Sequence, residues 1–284
     1  MHSSPEAIPG FAARRHPSLL RRCALAGLLA GISLMTRAQA IDPELFPNLV
    51  GAGIGVTPDY TGADSRSAAV APLLRYHFED SRRAISIVGP IGSVNLIESP
   101  TLHGGPVFRY RFGRQDAKDP VVARMHEIDP TIDVGAYLSY WWTGSGGVPW
   151  RLRVAGNVLI GIDSDHAGTS GSLDAQFWLP VSQRVILGVG GALNYGSSSF
   201  MNTYYGVTAQ DSVASGLPVF RPGSSSTSAD AWVGVMYLLK PNWVVGAGVY
   251  YQRLTGDAAD SPIVRDRGNA DQISGGVGAA YYWQ

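Results

Sequence analysis

The stretch that decides the fold lies at the C-terminus, where residues 271–284 read DQISGGVGAAYYWQ. Every second residue from Ile273 to Trp283 is apolar or small, and this series ends in aromatic rings. The residues between them, from Gln272 to Tyr282, are mostly small or polar. Strict alternation with a period of two predicts a β-strand whose two faces meet different environments.

The first forty residues predict a secretory signal peptide. Cys23–Met35 is an apolar or small stretch without charge, and Ala38-Gln39-Ala40 is a small-x-small cleavage site. The apolar stretch is shorter than the about 20 residues that a membrane-spanning helix needs. Four arginines precede it: Arg14, Arg15, Arg21 and Arg22. We expect residues 1–40 to be removed on export, leaving a mature chain, residues 41–284, without cysteine. An amphipathic or disordered extension is the alternative.

Composition narrows the class of protein. Residues 1–40 hold five of the 22 basic and one of the 22 acidic residues, so the mature chain carries a net charge of −4, which argues against a nucleic-acid partner. No apolar run reaches the length of a transmembrane helix. Without such helices, only a closed barrel satisfies every backbone N–H and C=O in lipid. The aromatic C-terminal end is typical of outer-membrane barrels, and a secreted β-sandwich is the alternative.

Alternating segments predict an all-β fold, a transmembrane antiparallel up-and-down β-barrel of about 12 strands. Most segments reach the roughly 9–11 residues of a tilted membrane-spanning strand. The third and fourth are short, and ten or eleven strands would result if they formed one distorted element. The predicted strands are residues 47–58, 68–78, 84–89, 92–98, 104–113, 131–142, 149–161, 171–180, 184–195, 229–239, 243–254 and 271–283.

The connections between these strands alternate in length. Those after even-numbered strands are short, and most of those after odd-numbered strands are long, the longest being residues 196–228. The connection after the third strand, near Pro90, is an exception. Short periplasmic turns and long external loops are typical of outer-membrane barrels.

The two faces of the strands differ in chemistry. A charge on the lipid face near the bilayer midplane costs about 2–4 kcal/mol, so we expect charged residues to face the lumen. Aromatic residues at strand ends favour the membrane–water boundary, with ordinary cross-strand packing as the alternative. The predicted outward aromatics include Tyr76, Phe78, Trp142, Trp150, Trp243, Tyr251 and Trp283. The predicted inward set is Arg75, Arg109, Arg111, Asp133, Arg151, Arg153, Asp174 and Gln176.

A series of motifs along nearly the whole mature chain resembles the MipA/OmpV family of outer-membrane proteins. That family is named for a scaffold that binds a lytic transglycosylase. The segments that carry the resemblance are Gly51–Val56, Pro58–Tyr60, Pro72–Leu74, Gly105-Pro106, Tyr110–Arg114, Tyr204–Val207, Ser212, Ser215–Leu217, Tyr251–Leu254 and Asp260–Val264.

The motif residues between Tyr204 and Leu217 lie in the longest predicted external loop. We expect this loop to fold back into the barrel mouth, with Ser215-Gly216 supplying a turn. Ser261-Pro262 would brace the last external loop against it. A role in binding is the alternative to this structural role.

The residues do not predict an enzyme. The mature chain has four histidines, and it lacks a Gly-x-Ser-x-Gly elbow, a phosphate loop and zinc-ligand spacing. The best local cluster, Asp163-Ser164-Asp165-His166, is most simply a solvated loop, with calcium binding or activation of a water as the alternative. We predict no catalytic, metal or cofactor site.

Three functions remain open. The resemblance implies a Gram-negative outer-membrane scaffold, surrounded by lipid, that holds a lytic transglycosylase near a peptidoglycan synthase. Contacts would then lie on the periplasmic rim, at residues 79–83, 143–148 and 240–242. The alternative is a narrow channel for small, anionic solutes lined by the inward arginines, unless aspartates pair with them and fill the barrel. Adhesion through the external loops is a third idea.

Overall fold

The computed structural model describes residues 48–78, 81–144, 149–162 and 168–283. The predicted signal peptide, its cleavage site and the Asp163–His166 cluster lie outside the described residues.

Twelve antiparallel strands form a closed barrel in which each strand pairs with the next and the last pairs with the first. This confirms the predicted up-and-down barrel and its strand count. The strands are β1 Asn48–Pro58, β2 Arg66–His77, β3 Ala84–Val88, β4 Ile91–Asn95, β5 Leu102–Arg111, β6 Thr131–Thr143, β7 Arg151–Gly161, β8 Thr169–Pro180, β9 Val185–Gly196, β10 Ser225–Lys240, β11 Trp243–Leu254 and β12 Asp271–Trp283.

The two short predicted strands are separate elements of five residues each, β3 and β4. The largest error in the predicted boundaries concerns β10, which begins at Ser225, four residues before the prediction. Its first residues are serine and threonine without apolar alternation, yet they pair with the end of β9 across a register shift between Ser226 and Ser228. Backbone hydrogen bonding thus extends this strand over residues whose side chains show no apolar alternation.

The barrel closes between β1 and β12 over nine paired positions, from Asn48 opposite Trp283 to Val56 opposite Gly275. The strands cross closely here, since a Cβ atom added at Gly51 would lie 2.3 Å from the carbonyl oxygen of Ala279. Glycine on this face of β1 is therefore required by the approach of the two backbones.

The outward face carries the apolar residues that the alternation predicted. Ile54, Val70 and Val277 project outward and are 66%, 69% and 57% exposed in the isolated chain. Aromatic rings gather at the end of the barrel where β1 begins and β12 ends. There Tyr281 lies 5.5 Å from Trp243 and 6.1 Å from Trp283 between ring centroids. An apolar band edged by aromatic rings is the exterior of an outer-membrane barrel.

Helices occur only in the connections of the described chain: α1 Ser198–Tyr205, α2 Ala209–Ser215, α3 Gly256–Asp260 and α4 Pro262–Arg265, with a 3₁₀ turn at Val122–Arg124. None of the described helices is long and apolar enough to cross a membrane.

The lipid-facing band predicts a position-dependent cost for charge. Val277→Arg places a guanidinium on the outer face halfway along β12, and we expect it to lower the free energy of unfolding by about 2–4 kcal/mol. Urea titration in phospholipid vesicles measures this loss. The control is Val213→Arg, the same change at a residue of α2 that is 89% exposed, where we expect less than about 0.5 kcal/mol. Equal losses at both positions would contradict a lipid-facing role for Val277.

Candidate functional site: a capped lumen

Four long connections meet over one end of the barrel and form a cap, defined here as residues 59–65, 112–130, 197–224 and 255–270. They follow β1, β5, β9 and β11, so they come from all around the barrel mouth. Their apolar side chains form a small core in which Val122, Val207 and Ile263 are almost fully buried. A core built from loops on opposite sides of the mouth spans that mouth.

The predicted packing of the longest loop is confirmed. Gly216 ends α2 in the left-handed conformation, with φ of +82°, and so supplies the expected turn. The hydroxyl of Ser261, which is completely buried, donates to the carbonyl oxygen of Tyr205 over 2.7 Å. Ser261 therefore braces the last loop against α1.

Segments that carry the family resemblance converge on this cap. Tyr205, Leu254 and Val264 belong to one buried apolar cluster beneath the loops. Val207 and Leu217 belong to a second cluster beside it. These residues are far apart in the sequence, and packing of the cap gives them a common role.

Polar contacts tie the cap together at its rim. Asp119 accepts hydrogen bonds from Arg267, with 2.7 Å between the closest atoms. The ammonium of Lys118 donates to the carbonyl oxygen of Arg66 at 2.5 Å and to the hydroxyl of Ser67 at 2.8 Å. The backbone N–H of Lys118 also donates to the carboxylate of Asp59 at 3.0 Å. The loop after β5 is thereby fixed to the first cap loop, to the start of β2 and to the last cap loop.

Asp211 is the most connected carboxylate of the cap. It accepts hydrogen bonds from the hydroxyl of Thr208 and from the backbone N–H of His126, and its carboxylate lies 2.9 Å from Nδ1 of that histidine. Burial alone would raise the pKa of Asp211, but the hydrogen bonds from Thr208 and His126 outweigh it and lower the pKa to about 2. The ionised carboxylate thus joins α2 to the loop after β5.

The predicted inward arginines do face the lumen. Arg111 pairs with Asp133 of β6 at 2.5 Å and donates to the hydroxyl of Ser170, which lies on β8, at 3.1 Å. Two strands separate β5 from β8, so this second contact crosses the interior of the barrel. The guanidinium also lies 4.6 Å from the ring centroid of Phe200 in α1. This contact joins the cap to the inner wall of the barrel.

Part of the positive charge is neutralised. This agrees with the predicted alternative in which aspartates pair with the inward arginines. Arg153 pairs with Asp174 at 2.7 Å, in addition to the pair formed by Arg111. Among the described strand side chains, the inward face carries five arginines and three aspartates. These are Arg75, Arg109, Arg111, Arg151 and Arg153, and Asp133, Asp174 and Asp230. An excess of positive charge remains on the wall formed mainly by β5 to β8.

The opposite wall is apolar and encloses a cavity of about 580 Å³. Small inward residues of β1, β2, β11 and β12 create the space, because glycine and alanine extend little or nothing into the lumen. The larger lining residues that face inward are Leu73, Val88, Trp178, Trp232, Met236, Val244 and Tyr250. Outward-facing residues such as Val233, Val235 and Val277 also border the cavity. The lumen is therefore divided into a charged wall and an apolar cavity.

Two tryptophans that were not among the predicted inward residues border this cavity. The rings of Trp178 and Trp232 lie 5.1 Å apart, over Gly188 and Gly190 of the intervening strand β9. A Cβ atom at either glycine would lie 2.4 Å from one of the rings. Parity could have located both tryptophans, since Trp178 shares the face of Asp174 and Trp232 follows two residues after Asp230.

We predict that the cap loosens in acid. The pKa of Asp211 in the folded protein lies below the ordinary value of 3.8. Its contribution to stability is therefore complete above about pH 4 and is lost as the pH falls towards 2. Hydrogen exchange of the backbone of α2, followed from pH 6 to pH 2, measures the change.

The matched variant is Asp211→Asn, which we expect to weaken protection of α2 at neutral pH by about 1.5–3 kcal/mol, the usual range for a hydrogen bond to a charged group. The control is Asp266→Asn, which disrupts only the exposed pair with the adjacent Arg265 and is expected to change little. Unchanged protection in the Asp211 variant would contradict its role as a link.

Among solved structures, outer-membrane proteins are similar to this chain at low sequence identity. The outer-membrane channel of the COG4313 group from Pseudomonas putida F1 is 10% identical, with a TM-score of 0.48 over 86% of this chain and 100% of the other. The NanC porin is 9% identical, with a TM-score of 0.46 over 83% of this chain and 100% of the other. Similarities this low say nothing about what the chain binds. No curated protein matches the sequence.

The family assignment rests on the sequence itself. Residues 50–283 match the family described as MltA-interacting protein MipA. The match runs from β1 to the end of β12 and so includes the barrel wall and the cap. With its apolar exterior and closed ring of strands, the protein is an outer-membrane barrel, and it belongs to the MipA family.

Proposed function

We propose that this protein anchors a lytic transglycosylase to the outer membrane and holds it near a peptidoglycan synthase. The observation that carries the proposal is membership of a family described as MltA-interacting, MltA being a lytic transglycosylase. Export through the signal peptide of residues 1–40 is part of the same proposal, because the partners would act in the periplasm.

The arrangement of the barrel supports an anchor. The cap covers the mouth formed by the long loops, which in outer-membrane barrels is the external one. A periplasmic partner would therefore meet the opposite rim, which contains the short turns, the start of β1 and the end of β12. Parts of the predicted periplasmic turns, residues 79–80 and 145–148, lie outside the described residues.

The described part of this rim contains one rigid ledge, formed by residues 81–83 and 95–101. Glu98 accepts hydrogen bonds from the hydroxyl of Ser81 at 2.6 Å and from the backbone N–H of Arg82 at 2.9 Å. These contacts lower the pKa of Glu98. Asn95 adds a hydrogen bond to the carbonyl oxygen of Arg82 at 2.9 Å. Two adjacent turns thus form a single surface.

The ledge alone is small for a stable complex, since standard interfaces bury about 800 Å² on each partner. We therefore place the ledge at the edge of the proposed contact, with neighbouring turns completing it. Because hydrogen bonds already join the two turns before binding, less conformational entropy is lost when a partner docks on the ledge.

We expect Glu98→Arg to weaken binding of a purified lytic transglycosylase at least tenfold, because it separates the two turns and reverses the charge. Biolayer interferometry with the full protein in detergent measures the dissociation constant. Glu127→Arg, the same change on the exposed cap, is the matched control and should bind as the wild type does. Absence of binding by the wild-type protein would refute the scaffold.

A second candidate function is a narrow channel for small anionic solutes, favoured by the excess of arginines on the inward wall. This function requires the cap to open. It predicts that Arg267→Ala, which removes the pair with Asp119, raises anion conductance in a planar bilayer. The control Arg265→Ala loses only the contact with Asp266 and should not. If the wild type and both variants are electrically silent, the channel is excluded.

A further inference from the structure

We propose that the apolar cavity of the lumen binds an alkyl or acyl chain, which enters sideways from the membrane through a gap in the barrel wall. This inference is independent of the proposed scaffold, because it concerns the lipid-facing wall and the interior, not the periplasmic rim.

The gap arises because the hairpin of β3 and β4 is shorter than its neighbours. Pairing of β2 with β3 runs only from His77 to Leu73, although β2 continues to Arg66. On the other side, β4 pairs with β5 only as far as Ile91 opposite Arg109. The hairpin therefore reaches about halfway up the wall, and no described strand fills the space above it.

Pro72 explains where the pairing stops. The backbone N–H of Gly89 donates to the carbonyl oxygen of Pro72 at 2.9 Å. The reciprocal bond that would continue an antiparallel ladder cannot form, because proline has no N–H. The tip of the hairpin then ends at Pro90, whose carbonyl oxygen accepts from Tyr110. Proline at such a place is typical of a strand edge.

The wall gap is bounded by Arg66–Ala71 of β2, by the hairpin tip and by the end of β5. At the level of the tip, β2 and β5 lie three strand spacings apart, roughly 14 Å at about 4.8 Å each. Lys118 closes the upper end, where it binds the carbonyl oxygen of Arg66. The remaining edge of β2, around Ala68 and Val70, faces the gap.

An unpaired strand edge is costly in hydrocarbon and is tolerated only where it lines a cavity. Val70 is 69% exposed and points outward, so this part of β2 belongs to the lipid-facing wall. The gap is thus a place where membrane and lumen are not separated by a complete sheet.

The apolar cavity reaches the wall gap. Ala69, Ala71 and Leu73, the inward residues of β2 beside the gap, line the cavity. Val88, at the top of β3, also lines it and is 64% exposed although it faces the interior. A chain that entered above the hairpin tip would meet these side chains first.

The chemistry of the cavity suits an alkyl chain. Its lining is almost entirely apolar, with Trp178 and Trp232 at one side and glycines at the other. Its volume of about 580 Å³ lies within the usual range of roughly 300–1,000 Å³ for ligand sites. Apolar cavities bind water poorly and accept hydrocarbon, because burial removes apolar surface from water.

Labelling with photoactivatable chains tests this inference. The full protein is placed in phosphatidylethanolamine–phosphatidylglycerol vesicles that contain either a diazirine fatty acid or a diazirine phospholipid. Mass spectrometry then locates the labels. We expect labels on inward residues of β10, such as Trp232 and Met236. We also expect them on the outward Tyr237 and Leu239, which lie outside the cavity lining and contact ordinary lipid. Lumenal labelling in either arm supports the proposal, and the arm identifies a free or a lipid-attached chain.

Two variants test the route. Gly248→Leu fills the cavity, since a Cβ atom there would lie 3.3 Å from the carbonyl oxygen of Val233 and needs only a small adjustment. Ala71→Phe places a ring at the wall gap. We expect each to lower lumenal labelling at least fivefold and to leave outward labelling unchanged. Gly156→Leu is the control on the outer face of β7, away from the cavity lining, where an added Cβ atom would lie 3.7 Å from the carbonyl oxygen of Ser172. It should stay within twofold of the wild type.

Heat-modified electrophoretic mobility verifies that each variant forms a barrel, and Ala71→Phe keeps the test valid if Gly248→Leu does not fold. Outward labels without lumenal labels in the wild type would overturn the proposal. It would also be overturned if the edge of β2 paired with a second copy, seen as a dimer in the vesicles with an unlabelled lumen.

Discussion

The need to satisfy backbone hydrogen bonds in lipid governs this structure. Each strand pairs with two neighbours around the ring, and the seam between β1 and β12 completes the circle. Unpaired N–H and C=O groups would cost several kcal/mol each in hydrocarbon. The chain therefore accepts very close backbone contact at Gly51 in order to close the ring.

The same constraint makes the wall gap energetically costly. A shortened hairpin between two long strands leaves backbone groups of β2 without a neighbouring strand, in the one part of the molecule where such groups are most costly. Pro72 makes this arrangement a property of the sequence, because its ring prevents the next ladder bond. The apolar cavity lies directly behind the gap, so the proposed entry of an alkyl chain would account for the shortened hairpin.

The interior follows from the side chains that the strands turn inward. On β5 to β8 these are long and charged, and the pairs of Arg111 with Asp133 and of Arg153 with Asp174 fill the space. On β11, β12, β1 and β2 they are mostly small, so space remains. Trp178 and Trp232 lie where the two regions meet, supported by the glycines of β9. Residue size thus divides the lumen as strongly as charge does.

Sequence alternation predicted the barrel, its strand count and the facing of Arg111 or Val277, because a period of two reports directly on the two sides of a strand. Loop lengths predicted which connections are external. The folding of the Tyr204–Leu217 segment into the mouth and the bracing by Ser261 were also predicted. The start of β10 was not, since serine and threonine carry no apolar period. The wall gap was not predicted either, although the short strands were recognised, because a gap depends on where neighbouring strands stop pairing.

The cap and the short-turn rim have different physical characters, and this difference bears on function. The cap contains a buried apolar core and a carboxylate, Asp211, whose ionised form is fixed by several donors. Opening it would disrupt that core and separate Asp211 from His126, its donor on the loop after β5. The ledge around Glu98 is held by exposed hydrogen bonds and leaves its surface available to a partner. A protein that keeps its outer end closed and presents a preformed surface at the other end is better suited to holding a partner than to conducting solutes.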